Sequence, residues 1–424
     1  MKLRLALLLL LAPGLAAAGE YDFDIPGSAD SAAPRLELSG NMDARYILVD
    51  MRRDSPLYAL QYYGQDPAGL LSQYRLDLYL GGDYRSGPLS FRARTYSQYH
   101  SEEESDLSLH ELYGSLALGD RGSLTAGKRM YSWGKGYAFN PAGFVNPVKD
   151  PENPELAQAG LMSFAYQYIR SFSGGPVSNA ALDLIAVPSA ETLNAQNSEA
   201  RDTDLAAKLS FLAWDTDLDL MGYASRVNPE RVGAGLSRNL GPALEVHGEY
   251  ARFHNKTRRT VAAGTVVAGE TDGEDWLVGL RWLNNWNMTT IAEYYRNGAG
   301  LSEGEYGAYS DFLEAAAVSG SSVTAASALS QARSGFGGSN LMRDYLYLKV
   351  SMPEPFGWLY FTPSAYVMVN AADGSWLAGL PLSYKPVTNF EFIAWPVFTG
   401  GGRGTEFGDR QAAAKLDLWL RFYF

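Results

Sequence analysis

Four histidines, His100, His110, His247 and His254, are the side chains of this chain best suited to proton transfer or metal ligation. None stands in His-Glu-x-x-His, and Gly-x-Ser-x-Gly is absent, so the local zinc-protease and nucleophile-elbow patterns are missing. The densest constellation is Glu245-x-His247-x-Glu249, where alternate spacing puts two carboxylates and an imidazole on one strand face. A hydrolytic triad would need a serine from another strand, and such sites are recognised by geometry; a solvated polar wall accounts for the same spacing. "WDTDLDLMG" offers Asp215, Asp217 and Asp219 at calcium-loop spacing, but Leu220 stands where the loop needs glycine and Arg226 where it needs glutamate. "GKGYAF" and "GAGLSRN" lack the third glycine of a dinucleotide fingerprint. With no cysteine, disulfides, thiolate metal sites and cysteine nucleophiles are excluded together. No enzymatic activity, cofactor or metal is expected.

The elements that carry these residues alternate at period two. In the terminal "KLDLWLRFYF", Leu416, Leu418, Leu420, Phe422 and Phe424 share one face, and Lys415, Asp417, Trp419, Arg421 and Tyr423 the other. A helix would bury Asp417 and Arg421 on its apolar stripe, so the segment reads as a strand. "RLELSGNMDARYIL", residues 35–48, alternates in the same way. Between the two lie candidate strands near 72–84, 89–99, 107–118, 124–131, 161–172, 179–187, 204–213, 217–226, 231–239, 243–253, 275–282, 287–296, 341–352, 358–370, 375–384 and 389–398, about 18 in all. Even-numbered connections such as "RSGP", "GDRGS", "LGP", "PEPFG" and "KPV" are short and rich in turn residues. Odd ones, including 49–71, 132–160, 188–203, 254–274, 297–340 and 399–410, are far longer, except two near 227–230 and 371–374 that are short.

The N-terminus gives Lys2 and Arg4, an apolar run from Leu5 to Leu11, and Ala16-x-Ala18, a secretory signal peptide over 1–18. Residues 19–34 read as a polar leader, and 35–424 as a single β-domain. Loss of Lys2 and Arg4 takes the formal charge from −12 to −14, against a nucleic-acid partner. No later segment has 18 uninterrupted apolar residues, so helical spans are excluded. The mean hydropathy of −0.18 does not exclude membrane-spanning strands, because only alternate residues face lipid.

A C-terminal aromatic preceded by alternating apolar residues resembles the assembly signal of bacterial outer-membrane β-barrel proteins, carried here by Leu418, Leu420, Phe422 and Phe424. The resemblance implies an all-β, transmembrane, antiparallel up-and-down barrel of 16–18 strands, with short periplasmic turns and long extracellular loops. It also implies residence in the outer membrane, with lipid, lipopolysaccharide, the barrel-assembly machinery and further copies of the chain as partners. Aromatics near strand ends, among them Tyr96, Trp276, Trp282, Trp395 and Trp419, are expected in interfacial girdles.

A barrel of this size leaves an aqueous channel. Lipid takes the apolar face, so Arg75, Asp77, Arg92, Arg94, Arg129, Lys208, Glu245, Glu249, Arg281, Arg343, Lys349 and Arg421 are expected to line the pore. The segment "RMYSWGKGYAFNPAGFVNPVKDPENPELAQAG" is stiffened by its prolines. Its Arg129-x-x-x-Trp133-Gly134 followed by Asn140-Pro141 looks like a pattern of several outer-membrane barrels. Folded inward, it would narrow the pore with Trp133, Lys135, Tyr137, Phe139 and Lys149; folded outward, it would cap the barrel. The function expected is a porin-like channel for passive diffusion of small hydrophilic solutes. Export of an anionic polymer past Arg92, Arg94 and Arg129, or a sheath around a periplasmic partner such as a cytochrome, are the alternatives.

Overall fold

The alternating segments become strands because extended backbone sends successive side chains to opposite faces. The computed structural model describes residues 34–66, 69–101, 105–154, 158–188, 194, 202–338 and 340–424. The predicted signal peptide, and the predicted leader up to residue 33, lie outside the described residues. The strands are β1 (Arg35–Met51), β2 (Leu70–Ser86), β3 (Leu89–His100), β4 (Asp106–Leu118), β5 (Gly122–Arg129), β6 (Leu161–Ser171), β7 (Val177–Val187), β8 (Asp204–Ala213), β9 (Thr216–Ala224), β10 (Glu230–Asn239), β11 (Leu244–Ala262), β12 (Thr265–Leu283), β13 (Thr289–Arg296), β14 (Asp344–Ser351), β15 (Phe361–Asn370), β16 (Trp376–Gly379), β17 (Leu382–Val387), β18 (Phe390–Gly400) and β19 (Ala412–Tyr423). Each pairs antiparallel with its neighbours, and β1 pairs with both β2 and β19. β16 and β17 are halves of one stave, since both pair with β15 and β18. The break falls at Pro381, which has no N–H to give the ladder. The sheet is therefore a closed barrel of 18 staves.

The closing seam runs from Asn41↔Tyr423 to Met51↔Ala412. Phe424 continues it, exchanging backbone hydrogen bonds of 3.0 and 2.8 Å with Gly40. Its ring lies over Gly40, where a Cβ would sit 2.7 Å from ring atoms, so only glycine admits this contact. Closure leaves no strand edge unpaired, the condition for a sheet in hydrocarbon.

The two faces differ as the alternation requires. Leu418, Leu420 and Phe424 are exposed on the outside, and Phe422 packs against Phe390 with ring centroids 5.0 Å apart. Asp43, Asp77 and Asp417 on the inside are buried to 2 % exposure or less. Trp276 and Trp282 share the outer face of β12 with exposed Val278 and Leu280. Tyr96 and Trp419, in contrast, point inward: the Tyr96 hydroxyl bonds Asp77 at 2.8 Å, and the Arg45 guanidinium lies 3.9 Å above the Trp419 ring. Trp395 lies beside Trp419 at 5.9 Å. These three are not girdle residues. An aromatic ring on the polar phase of a strand covers cations instead.

Connections at one end are short, two to five residues except for 352–360, which is longer than the predicted "PEPFG". At the other end, residues 254–274 are not a loop: β11 and β12 continue to a turn at Ala263–Gly264, both in left-handed conformation. The acidic "GETDGED" thus lies on β12. The 297–340 connection folds into helices α2 (Glu303–Ala317) and α3 (Ser322–Gly335), after α1 (Pro56–Gln61) near the start of the chain. Ser302 and Glu305 form a reciprocal capping box at the start of α2. Tyr306, Tyr309, Leu313 and Ala316 form its buried stripe, meeting the small Ala325, Ala328 and Ala332 of α3. This pair packs with Leu60, Phe139, Tyr345, Tyr347, Tyr366, Met368, Leu377, Val397 and Phe407 in one apolar core. One side of the interior, along β14 to β18, is therefore filled.

Candidate functional site

Residues 130–154 fold inward across the lumen. A segment crossing a barrel cannot join a ladder, so its backbone N–H groups must find other acceptors. Wall carboxylates supply them. Glu249 on β11 accepts from the N–H groups of Lys135, Gly136 at 2.6 Å and Ala142 at 2.8 Å, and is 4 % exposed. Glu293 on β13 accepts from Tyr137 and, at 2.9 Å, from Ala138. The Tyr137 hydroxyl bonds Glu245 at 2.8 Å. Lys135 pairs with Asp217 and Asp219 of β9 at 2.7 and 2.9 Å. Gly134 has φ +98, and a Cβ there would sit 2.9 Å from the Glu249 carboxylate, so glycine is required on both counts. Asn146 locks the stem by accepting from the Trp133 N–H at 3.0 Å and donating to its carbonyl at 2.7 Å.

The Glu245–His247–Glu249 constellation is thus an anchor under this segment and not a solvated wall. The His247 side chain is buried, with Nε2 3.0 Å from Glu293 and its ring edge-on to Tyr137 at 5.2 Å. Trp133 and Phe139 are buried too. Trp133 packs with Tyr131, Phe144, Ile185, Val187, Ala206 and Met221, and Phe139 stacks on Tyr295 at 4.5 Å. Lys149 turns back onto the carbonyls of Gly136 at 2.5 Å and Tyr137 at 3.3 Å. Of the five residues expected at a constriction, these three hold the segment together, while Lys135 and Tyr137 tie it to the wall.

Polar space remains against the β2–β8 wall. One cavity of about 120 Å³ is lined by Thr125, Arg129, Ser132, Trp133, Gln167, Asp183 and Lys208. A second of about 240 Å³, lined by Asp83, Arg85, Arg92, Tyr113, Ser115 and Ser123, shares Thr125, Arg129 and Gln167 with it. Arg92 and Arg94 converge on Asp83 at 2.6 and 2.7 Å, and Lys208 lies 3.7 Å from Asp183. Towards the seam, Arg75 pairs with Asp77 at 2.7 Å, Arg45 with Asp77 and Asp417, and Arg421 with Asp43 at 2.7 Å and Glu391 at 3.8 Å.

The remaining expected wall residues are dispersed. Arg281 of β12 stands opposite Glu245 of β11, the carboxylate that holds the Tyr137 hydroxyl. Lys349 shares its face of β14 with buried Tyr345 and Tyr347, on the filled side. Arg343 donates to the Gly300 carbonyl at 3.0 Å and pairs with Glu305 at 3.7 Å, binding α2 and not a passage. Glu293, Asp83, Thr125 and Gln167 were not singled out from sequence. Glu293 shares its face of β13 with Ile291 and Tyr295, and Tyr294 on the other face makes both phases aromatic, which blurs the signal.

Outside the strands, ionisable groups hold α2 and the 401–411 connection in place. Arg258 donates to Glu305 at 2.5 Å and holds its carboxyl down at about 2. Glu406, in the 401–411 connection, is pushed up to about 7 by burial, although Tyr345, the Leu341 N–H and Asn370 all donate to it. Asp409 is raised by burial as well, and accepts from Ser310 of α2 at 2.7 Å.

No protein-family model and no curated protein sequence matches the chain. Solved structures do. Pseudomonas aeruginosa OccK2 (OpdF), determined in complex with glucuronate, aligns over 92% of this chain and 98% of its own at 10% identity and a TM-score of 0.54. Pseudomonas aeruginosa OccK11 (OpdR) aligns over 91% and 96% at 12% identity and 0.52. A mutant porin of Rh. blastica covers 92% of this chain and 100% of its own at 13% identity and 0.45. The two Pseudomonas structures share the closed antiparallel barrel with this chain, and the likeness extends to the fold.

Proposed function

We propose that the chain is a bacterial outer-membrane channel for passive diffusion of small hydrophilic solutes, its passage confined to the β2–β8 side of the lumen. The observation that carries this reading is the pair of neighbouring polar cavities along that wall, which share Thr125, Arg129 and Gln167, the first of them lined also by Ser132 and Trp133 of the inward segment. A closed barrel with leucines outside and ion-paired charges inside suits a lipid bilayer around water. The short turns then face the periplasm and the helices α2 and α3 the exterior. Leu418, Leu420, Phe422 and Phe424 would present the assembly signal to the barrel-assembly machinery.

The same packing weighs against a sheath for a protein partner, because the inward segment and the aromatic core occupy the space that partner would need. Polymer export is weakened because Arg92 and Arg94 are shared by Asp83. The test is reconstitution of the purified chain in a planar bilayer. Stepwise conductance is expected, and deletion of residues 136–154 is expected to raise it several-fold. No conductance at any voltage from an assembled barrel would end the reading.

A further inference from the structure

His247, Gly279 and Glu293 form one row across three staves: His247 of β11 stands opposite Gly279 of β12, which stands opposite Glu293 of β13. Gly279 has no side chain, so the imidazole lies over β12 and reaches Glu293, its Nε2 3.0 Å from Oε1. A Cβ at Gly279 would sit 2.4 Å from that nitrogen and 2.8 Å from the Glu293 Cγ. The other ring nitrogen, Nδ1, faces Glu245 Oε1 at 3.9 Å and has no hydrogen-bond partner among the described residues. The ring and the Glu293 carboxylate are both closed to solvent. A neutral imidazole carries one proton. On Nε2 it leaves the Nδ1 lone pair against Glu245; on Nδ1 it leaves the Nε2 lone pair against Glu293. Only the imidazolium, with a donor at each nitrogen, suits both carboxylates.

The charges around the ring favour the same state. Glu245 and Glu249 of β11 and Glu293 of β13 are negative, whereas Arg281 of β12, opposite Glu245, and Lys149 of the inward segment are positive. A third positive charge, on His247, balances the group. Both carboxylates that the ring faces hold the inward segment, Glu245 by the Tyr137 hydroxyl and Glu293 by the N–H groups of Tyr137 and Ala138. The Tyr137 ring meets the imidazole edge-on. We propose that His247 is a proton-operated latch on the inward segment. Charged, it ties Glu245 to Glu293 across β12 and keeps the segment docked; uncharged, it gives up one of the two ties and the segment loosens. The passage is therefore narrower in mild acid and wider above neutrality, the range over which an imidazole changes charge. The inference adds regulation to the channel reading and rests on it for its electrical consequence alone.

The test follows hydrogen exchange at 136–138 in the full chain in detergent, corrected for intrinsic rate, from about pH 5.5 to about pH 8.5. Protection is expected to fall about tenfold as pH rises, the difference between a charge-assisted and a neutral hydrogen bond. In His247→Gln, which cannot take up the proton, it is expected to stay level. A level parent would overturn the latch. So would a His247→Gln chain that keeps the slope, because Glu245, Glu249, Glu293 or Lys149 would then be the titrating group. Should the glutamine variant not assemble, Gly279→Ala keeps the ring and both carboxylates but blocks the reach between them. It is expected to flatten the slope, and an unchanged slope there would overturn the latch as well. In the bilayer, open-channel noise and mean conductance are expected to rise with pH in the parent and not in His247→Gln. Exchange that follows pH through His247 in an assembled barrel that never conducts would end the channel reading and leave the latch standing. A conducting barrel whose exchange and current ignore pH over this range would do the reverse.

Discussion

Replacing Glu249 by alanine should free the inward segment without unfolding the barrel. The carboxylate accepts from three backbone N–H groups, those of Lys135 and Gly136 on Oε1 and that of Ala142 on Oε2. Leaving a buried donor unmade costs about 1–3 kcal/mol. Water can enter next to the polar passage, which puts each loss near the lower end, so the three together weaken docking by about 3 kcal/mol. That shifts the docked-to-released ratio by roughly two orders of magnitude. Glu293 and the Lys135–Asp217 pair still hold the segment, so partial release is expected. Single-channel recording should show greater open-channel noise and a mean conductance moving towards that of the 136–154 deletion. Glu249→Gln should be intermediate, because its oxygen can serve Lys135 and Gly136 while its amide opposes the Ala142 donor. An assembled Glu249→Ala barrel with the noise and conductance of the parent would refute the anchoring role.

Leu418→Arg puts a cation on the lipid face at about 2–4 kcal/mol near mid-membrane, and the fraction of heat-modifiable, folded barrel should fall. Arg421→Leu is not the neutral change that a solvated inner position would allow. It strands Asp43, 2 % exposed, and breaking such a buried pair costs about 3–5 kcal/mol; adding Asp43→Asn should restore most of the denaturant midpoint. The packing of α2 and of the 401–411 connection, which Asp409 joins to Ser310 of α2, should depend on pH from two sides. The raised Glu406 contributes stability that is full below its ordinary value of 4.5 and lost as pH rises through about 7, when the native carboxyl ionises. The depressed Glu305 contributes stability present above 4.5 and lost as pH falls through about 2. Hydrogen exchange at 303–335, corrected for intrinsic rate, should therefore slow most near pH 4.5; protection that rises between pH 5 and 8 would contradict this, and Glu406→Gln should flatten the alkaline side.

Strand positions and their facing were legible in the sequence because period-two alternation is local. Lipid-facing leucines and lumen-facing charges need only their own strand to declare themselves, as "KLDLWLRFYF" does. The short turns followed in the same way from their glycines, prolines and asparagines. Some local signals misled: the polar 254–274 extends two strands, since a hairpin beyond the membrane has no apolar face to betray it. The identity of the site was not local at all. Glu249 and Glu293 act on backbone more than a hundred residues earlier, and a carboxylate looks the same in sequence whether it meets water, an arginine or an amide. Alternation decided what could face lipid and what could face water; long-range pairing across the closed sheet decided which inward charges were neutralised, which side of the lumen filled, and where polar space remained.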